Sequence, residues 1–269
     1  MSRIRETFES LRSTGRKGFV PFVTAGDPDL ETSFEIALTL AAKGADVIEL
    51  GVPFSDPMAD GPTIQRSSQR ALENGTDLAA ILRMVKDFRL RSEVPIVLFS
   101  YLNPILRFGL LERLDELNSA GIDGILITDA IDHEAREISA ALAKYGIDLI
   151  SLIAPTTSDE RLADICVNAR GFIYAISRAG VTGARSASSE CAKTLVSRSR
   201  RYTDLPVAVG FGVSTCEQIE EVWQYADAAV VGSAIVAEIE RADTNGDSVE
   251  KVTRFLESLL PFANGPDQN

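Results

Sequence analysis

Eight short apolar runs punctuate the chain, at residues 19–23, 46–50, 95–99, 124–127, 148–153, 171–176, 206–209 and 228–231. Each is rich in branched side chains and bounded by Gly, Pro or polar residues, which predicts short, buried strands. Between them apolar residues repeat at helical spacing, over 30–42, 63–73, 78–88, 110–120, 134–144, 159–167, 187–200, 215–225, 233–241 and 249–260. The segment 30–42 follows Asp29, a candidate N-cap, and ends beside Gly44, a candidate C-cap. Strands alternating with helices predict a parallel sheet with right-handed crossovers, and eight strands suffice to close a barrel. An open, doubly wound sheet is the alternative. A further helix at 3–11 precedes the first strand and is expected to cap the barrel bottom, within an N-terminal element spanning 1–15. Without a linker-like stretch, residues 1–269 read as one domain, a single (β/α)8 TIM barrel with an extra N-terminal helix and a polar tail, 264–269, expected to fray.

Composition narrows the partners. The net charge of −12 argues against nucleic acid or an anionic membrane surface. An anionic substrate would have to be held by local devices, such as helix N-termini and backbone N–H groups. Cys166, Cys191 and Cys216 are far apart and form no C-x-x-C pair, which fits reduced thiols better than a disulfide frame or a metal site. With His133 as the single histidine, imidazole metal ligation and a Ser-His-Asp triad have little to draw on. The first residues lack the apolar segment of a signal peptide, and no apolar run reaches the roughly 20 residues of a membrane span, so the expected location is the cytoplasm.

In a barrel of this type the reactive groups stand at the C-terminal ends of the strands. At 46–51 the pattern Asp-Val-Ile-Glu-Leu-Gly places Val47 and Glu49 on one face and Ile48 and Leu50 on the other. With Ile48 and Leu50 against helices, Glu49 points into the barrel mouth, where apolar neighbours would raise its pKa and suit it to proton transfer near pH 7. A hydrogen-bonded structural carboxylate is the alternative. The following stretch from Gly51 to Pro62 is a long loop carrying Asp56 and Asp60. Asp60, just before Gly61-Pro62, reads either as a helix N-cap or as the second member of a carboxyl pair. Glycine-containing turns after the sixth, seventh and eighth runs, at 177–184, 210–212 and 232–234, allow backbone N–H groups close to an oxyanion and predict a phosphate site, with tight βα turns that hold no ligand as the alternative. His133 reads as a solvated residue of a helix's first turn, and Trp223 as packing.

The stretch Glu49-Leu-Gly-Val-Pro-Phe-Ser-Asp-Pro-Met-Ala-Asp-Gly-Pro-Thr-Ile-Gln65 resembles the signature of tryptophan synthase alpha chains. The resemblance extends in order through Pro21-Phe-Val-Thr-Ala-Gly-Asp-Pro28, Tyr101-Leu-Asn-Pro104, Ala154-Pro-Thr-Thr157, Gly180-Val-Thr-Gly183, Gly210-Phe-Gly212 and Val231-Gly-Ser-Ala-Ile-Val236, nearly the whole chain. It implies a carbon–carbon lyase that cleaves indole-3-glycerol phosphate to indole and glyceraldehyde 3-phosphate. Glu49 matches the family's acid/base and Asp60 its partner carboxylate. Phe22, Tyr101, Leu126 and Tyr174 match the indole pocket; Gly183, Phe211, Gly212, Gly232 and Ser233 match the phosphate site; Thr182 matches the hydroxyl that positions Asp60. Pro53, Asp56, Asn103 and Pro104 match the surface that meets a beta subunit in an alpha2beta2 heterotetramer, and the one organic cofactor, pyridoxal phosphate, is expected in that partner rather than in this chain. A lyase acting alone, or a weakly catalytic barrel that activates the beta chain, are the other roles such a chain could fill. After the fourth strand Thr128-Asp-Ala-Ile131 departs from the family's usual proline-containing pattern while keeping Asp129.

Overall fold

The computed structural model describes residues 2–130, 132–176, 185–210 and 212–260. Eight parallel strands lie in these residues: β1 (Gly18–Thr24), β2 (Ile48–Gly51), β3 (Ile96–Ser100), β4 (Gly124–Ile127), β5 (Asp148–Ile153), β6 (Ile173–Ile176), β7 (Val207–Gly210) and β8 (Ala228–Val231). They follow one another around a closed barrel. Pairing of Gly18, Phe19, Val20 and Pro21 with Ala228, Ala229, Val230 and Val231 joins β1 to β8 and removes the open-sheet alternative. Helix α1 (Arg3–Ser13) precedes the barrel, and α2 (Leu30–Ala42) follows β1. Next come α3 (Pro62–Glu73), α4 (Leu78–Phe88), α5 (Leu102–Phe108), α6 (Leu114–Ala120), α7 (Asp132–Ala143) and α8 (Asp159–Asn168). The last are α9 (Arg185–Ser199), α10 (Cys216–Trp223), α11 (Ser233–Glu240) and α12 (Asn245–Leu259). Asp29 caps α2 as expected, accepting the Thr32 N–H at 2.8 Å. None of the described helices is long and apolar enough to cross a membrane.

One expected helix divides. Residues 110–120 form a 3-10 turn (Leu110–Glu112) and then α6, because Arg113 between them is not helical. The turn is preceded by Gly109 at φ +74°, which ends α5. Helix α5 is not among the helices that the sequence pattern predicts, and it contains Pro104. That proline falls in the first turn, where no helical N–H is required. Asn103 and Pro104 are therefore helical.

Period two divides the core into two layers. Ile48, Leu50, Ile96, Leu98, Ile125 and Ile173 pack outward against the helices. Val20, Val47, Val97, Leu126, Ile150 and Phe172 fill the barrel, and Ile4, Phe8 and Leu11 of α1 join them from below. The Phe8 and Phe172 rings lie 5.6 Å apart, so α1 is the plug that the sequence predicts.

A repeated polar device closes the bottom. Asp46, Asp123 and Asp227 stand at the entry of β2, β4 and β8. Each donates its backbone N–H to the carbonyl of Phe19, Ile96 or Val207 on the preceding odd strand, at 2.9, 3.0 and 2.9 Å. Each side chain in turn accepts the N–H of that same residue, at 2.8, 2.8 and 2.7 Å. Cations from the N-terminal segment reach all three: Arg3 to Asp123 at 2.9 Å, Arg16 to Asp46 at 3.7 Å and Lys17 to Asp227 at 4.0 Å. The Trp223 indole donates to the Gly18 carbonyl at 2.9 Å, so its packing role includes a hydrogen bond.

Candidate active site

Glu49 follows directly from the strand period. Its neighbours Ile48 and Leu50 belong to the layer facing the helices, and its register partners are Phe22 on β1 and Val97 on β3. The side chain is wholly buried, and neither carboxyl oxygen has a hydrogen-bond partner. A structural carboxylate is ordinarily hydrogen-bonded, and Glu49 has no such partner among the described residues. Desolvation without compensation raises the pKa to about 8, which keeps the group protonated at neutral pH.

Three rings line the barrel beside it. Phe22 and Phe99 meet edge to face at 5.3 Å, and Phe99 reaches Tyr174 at 6.2 Å. Two glycines make room for them. A Cβ on Gly51 would stand 2.6 Å from the Phe22 ring, and one on Gly210 would collide with the Tyr174 hydroxyl and come within 3.0 Å of Val230. The Gly210 turn thus serves an aromatic side chain as well as any phosphate. Leu126, also wholly buried, completes this wall from β4. Phe99 was not singled out from the sequence, although it shares a strand face with Val97, two residues before it.

Asp60 does not cap α3. Gly61 is the N-cap, without a side-chain bond, and Pro62 takes the first helical position. The Asp60 carboxyl is free to face Tyr101. Burial raises its pKa to about 6 against the lowering effect of a Tyr101 hydrogen bond. The loop that carries it is folded on itself. Asp60 N–H donates to the Pro57 carbonyl at 3.0 Å, Gln65 donates to the Asp60 carbonyl at 2.9 Å, and the Tyr101 hydroxyl accepts from the Ala59 N–H at 2.9 Å. Phe54 stacks obliquely on Tyr101 at 5.2 Å. Burial pushes the Tyr174 hydroxyl pKa up, and negative charge on Glu49 or Asp60 pushes it further, so both acids lie within electrostatic reach of one phenol.

Gly232 opens α11 as its N-cap and Ser233 is its first residue, leaving first-turn N–H groups without intrahelical partners. Gly212 adopts φ +82°. Thr182, Gly183 and Phe211 lie outside the described residues. Pro53, Asp56, Asn103 and Pro104 converge on one groove of about 720 Å³ beside the loop after β2. Asp129, retained in the departing stretch at 128–131, accepts the Leu102 N–H at 2.6 Å, at the start of α5. His133 is exposed, 3.7 Å from Glu137, as a solvated first-turn residue should be. Among the described residues no cluster of three His, Cys, Asp or Glu could hold a metal.

The family model for the tryptophan synthase alpha chain matches residues 8–263. The chain belongs to the tryptophan synthase alpha chain family. A relative of that description from Thermoanaerobacter sp. (strain X514) is 43% identical over 259 residues, 96% of this chain and 98% of its own. One from Acidiphilium cryptum is 49% identical over 237 residues, covering 88% and 86%. Among solved structures of the family, tryptophan synthase subunit alpha from Legionella pneumophila superposes with a TM-score of 0.85 at 34% identity, over 97% of this chain and 100% of that one. A chain of the Pyrococcus furiosus tryptophan synthase a2b2 complex gives 0.84 at 41% identity, covering 91% and 98%.

Proposed function

We propose that this family member releases indole from indole-3-glycerol phosphate, with Glu49 as the acid/base and Asp60 as the carboxylate facing the indole nitrogen. The observation that carries the reading is Glu49 itself: a wholly buried carboxyl group at the barrel mouth with both oxygens unpartnered. Held protonated at neutral pH, it gives its proton to ring carbon C3. The ring nitrogen then carries positive charge, which ionised Asp60 offsets by accepting its N–H. The C–C bond breaks, and its electron pair restores the aromatic ring. The side-chain hydroxyl becomes the carbonyl of glyceraldehyde 3-phosphate as its proton passes to the Glu49 carboxylate, which regains its starting state.

Phe22, Leu126, Tyr101 and Tyr174 form the apolar wall suited to a flat bicyclic ring. Gly212, Gly232 and Ser233 supply the backbone groups for phosphate, supported by the helix start at Ser233 and the open turn at Gly212. Thr182, Gly183 and Phe211 enter on resemblance alone. The groove lined by Pro53, Asp56, Asn103 and Pro104 receives a beta chain. The a2b2 assembly of the Pyrococcus relative and the exposed Met58, Leu72 and Leu106 nearby support this. Pyridoxal phosphate belongs to that partner, where it would join indole to serine.

The test is indole formation from indole-3-glycerol phosphate by wild type, Glu49→Gln and Asp60→Asn, with and without a beta chain. The expected result is a loss of at least about 10³-fold in Glu49→Gln, with an unchanged circular dichroism spectrum, and a rise in wild-type turnover on adding the partner. Near-normal turnover in Glu49→Gln would remove that residue from the mechanism.

A further inference from the structure

Helix α3 begins two residues after Asp60, so its placement decides where that carboxyl group stands. Arg70, on its third turn, reaches two other elements at once. Its Nε and Nη2 donate to the two oxygens of Asp27 at 2.7 and 2.8 Å, and its Nη1 donates to Glu240 at 3.0 Å. Asp27 is wholly buried in the corner after β1, the strand that carries Phe22. Glu240 is the last residue of α11, whose first residue is Ser233. Nearer the Asp60 end, the Ser67 and Thr24 hydroxyls are hydrogen-bonded at 2.6 Å and tie α3 to β1 again. A buried ion pair adds little stability over an apolar replacement, whereas its directional bonds fix one geometry. Misplacing a catalytic group by about 1 Å can cost about 10²-fold in rate.

We infer that Arg70 is a positioning residue, clamped between Asp27 and Glu240 so that α3 presents Asp60 at a fixed distance from the β1 wall and the Ser233 end of α11. This inference rests on the proposed roles of Asp60 and Ser233. Arg66 is the natural control. It lies one turn earlier on α3 and pairs with Glu240 alone, at 2.5 and 2.7 Å, with its side chain about half exposed. Removing it takes the same charge from the same helix and leaves the Asp27–Arg70–Glu240 bridge in place.

The experiment measures kcat and KM for indole-3-glycerol phosphate in Arg70→Met, Arg70→Lys and Arg66→Met, at a temperature at least about 15 °C below each variant's melting point. Arg70→Met should lower kcat at least tenfold, with KM within about threefold of wild type. Arg70→Lys, a single point charge that cannot hold both acids bidentately, should recover no more than a small part. Arg66→Met should stay within twofold in both constants. Wild-type kcat in Arg70→Met with only a lowered melting point would overturn the inference and leave a purely structural ion pair. Should Arg70→Met not fold, Arg70→Lys decides: full kcat overturns the inference, and a tenfold deficit in a folded protein sustains it. Glu49→Gln and Asp60→Asn, assayed alongside, separate the two ideas. Turnover retained in both would sink the site assignment itself, whereas turnover lost in both with Arg70→Met unaffected would sink the clamp alone.

Discussion

Glu49 has a folded-state pKa of about 8 against an ordinary 4.5. Between those values the unfolded chain has lost the proton and the folded chain keeps it, so stability falls as pH rises from 4.5 to 8. The deficit at pH 7 is about 3 kcal/mol. Glu49→Gln should remove that slope, so the variant melts higher than wild type at pH 8 and about equally at pH 4.5, as thermal unfolding across pH will show. Catalysis constrains the same groups from both sides. In the proposed mechanism Glu49 must hold its proton and Asp60 must lose its own, so kcat/KM should rise through about pH 6 and fall through about pH 8. A profile flat across that window would contradict the assignment. Glu49 was legible in the sequence because period two fixes its direction once Ile48 and Leu50 face helices. Asp60 was not, because Asp60-Gly61-Pro62 offers two possible helix starts. Only backbone geometry shows Gly61 at the cap.

The loops after strands act as parts of the site as much as the residues on them. Gly210→Ala should drive the Tyr174 ring out of place, since the added methyl would overlap that hydroxyl and stand only 3.0 Å from Val230. Turnover should fall at least tenfold with substrate KM also raised, measured in a folded variant. Gly212→Val meets a different obstacle. At φ +82° a branched side chain is strained, so the turn should reshape and KM for the phosphorylated substrate should rise. The glycines themselves read in the sequence as anion turns. That Gly210 yields space to Tyr174, 36 positions earlier, lay beyond it, because contacts between distant strands leave no periodic trace. The same holds for the split of 110–120, where propensity favours one helix and Gly109 with Arg113 imposes two.

At the scale of the whole molecule, the eight-strand count and the plugging role of α1 were both legible, since each rests on repeating apolar patterns. The ion pairs that fasten the plug were not: Arg3 and Asp123 are 120 positions apart. Phe8→Ala should remove a ring packed at a tilt against Phe172 and cost about 3–5 kcal/mol of stability, with kcat unchanged below the melting point, because the cavity opens far from the mouth. The reciprocal bonds of Asp46, Asp123 and Asp227 have a consequence at the other end of the barrel. Asp46 grips Phe19 three residues before Glu49 on the same stretch of chain. Slipping that stretch by one position would turn Ile48 and Leu50 toward the lumen and bury Glu49 among the helices. The aim of Glu49 is thus set by a salt-bridged carboxylate at the floor of the barrel, which decides which way the rim above it looks.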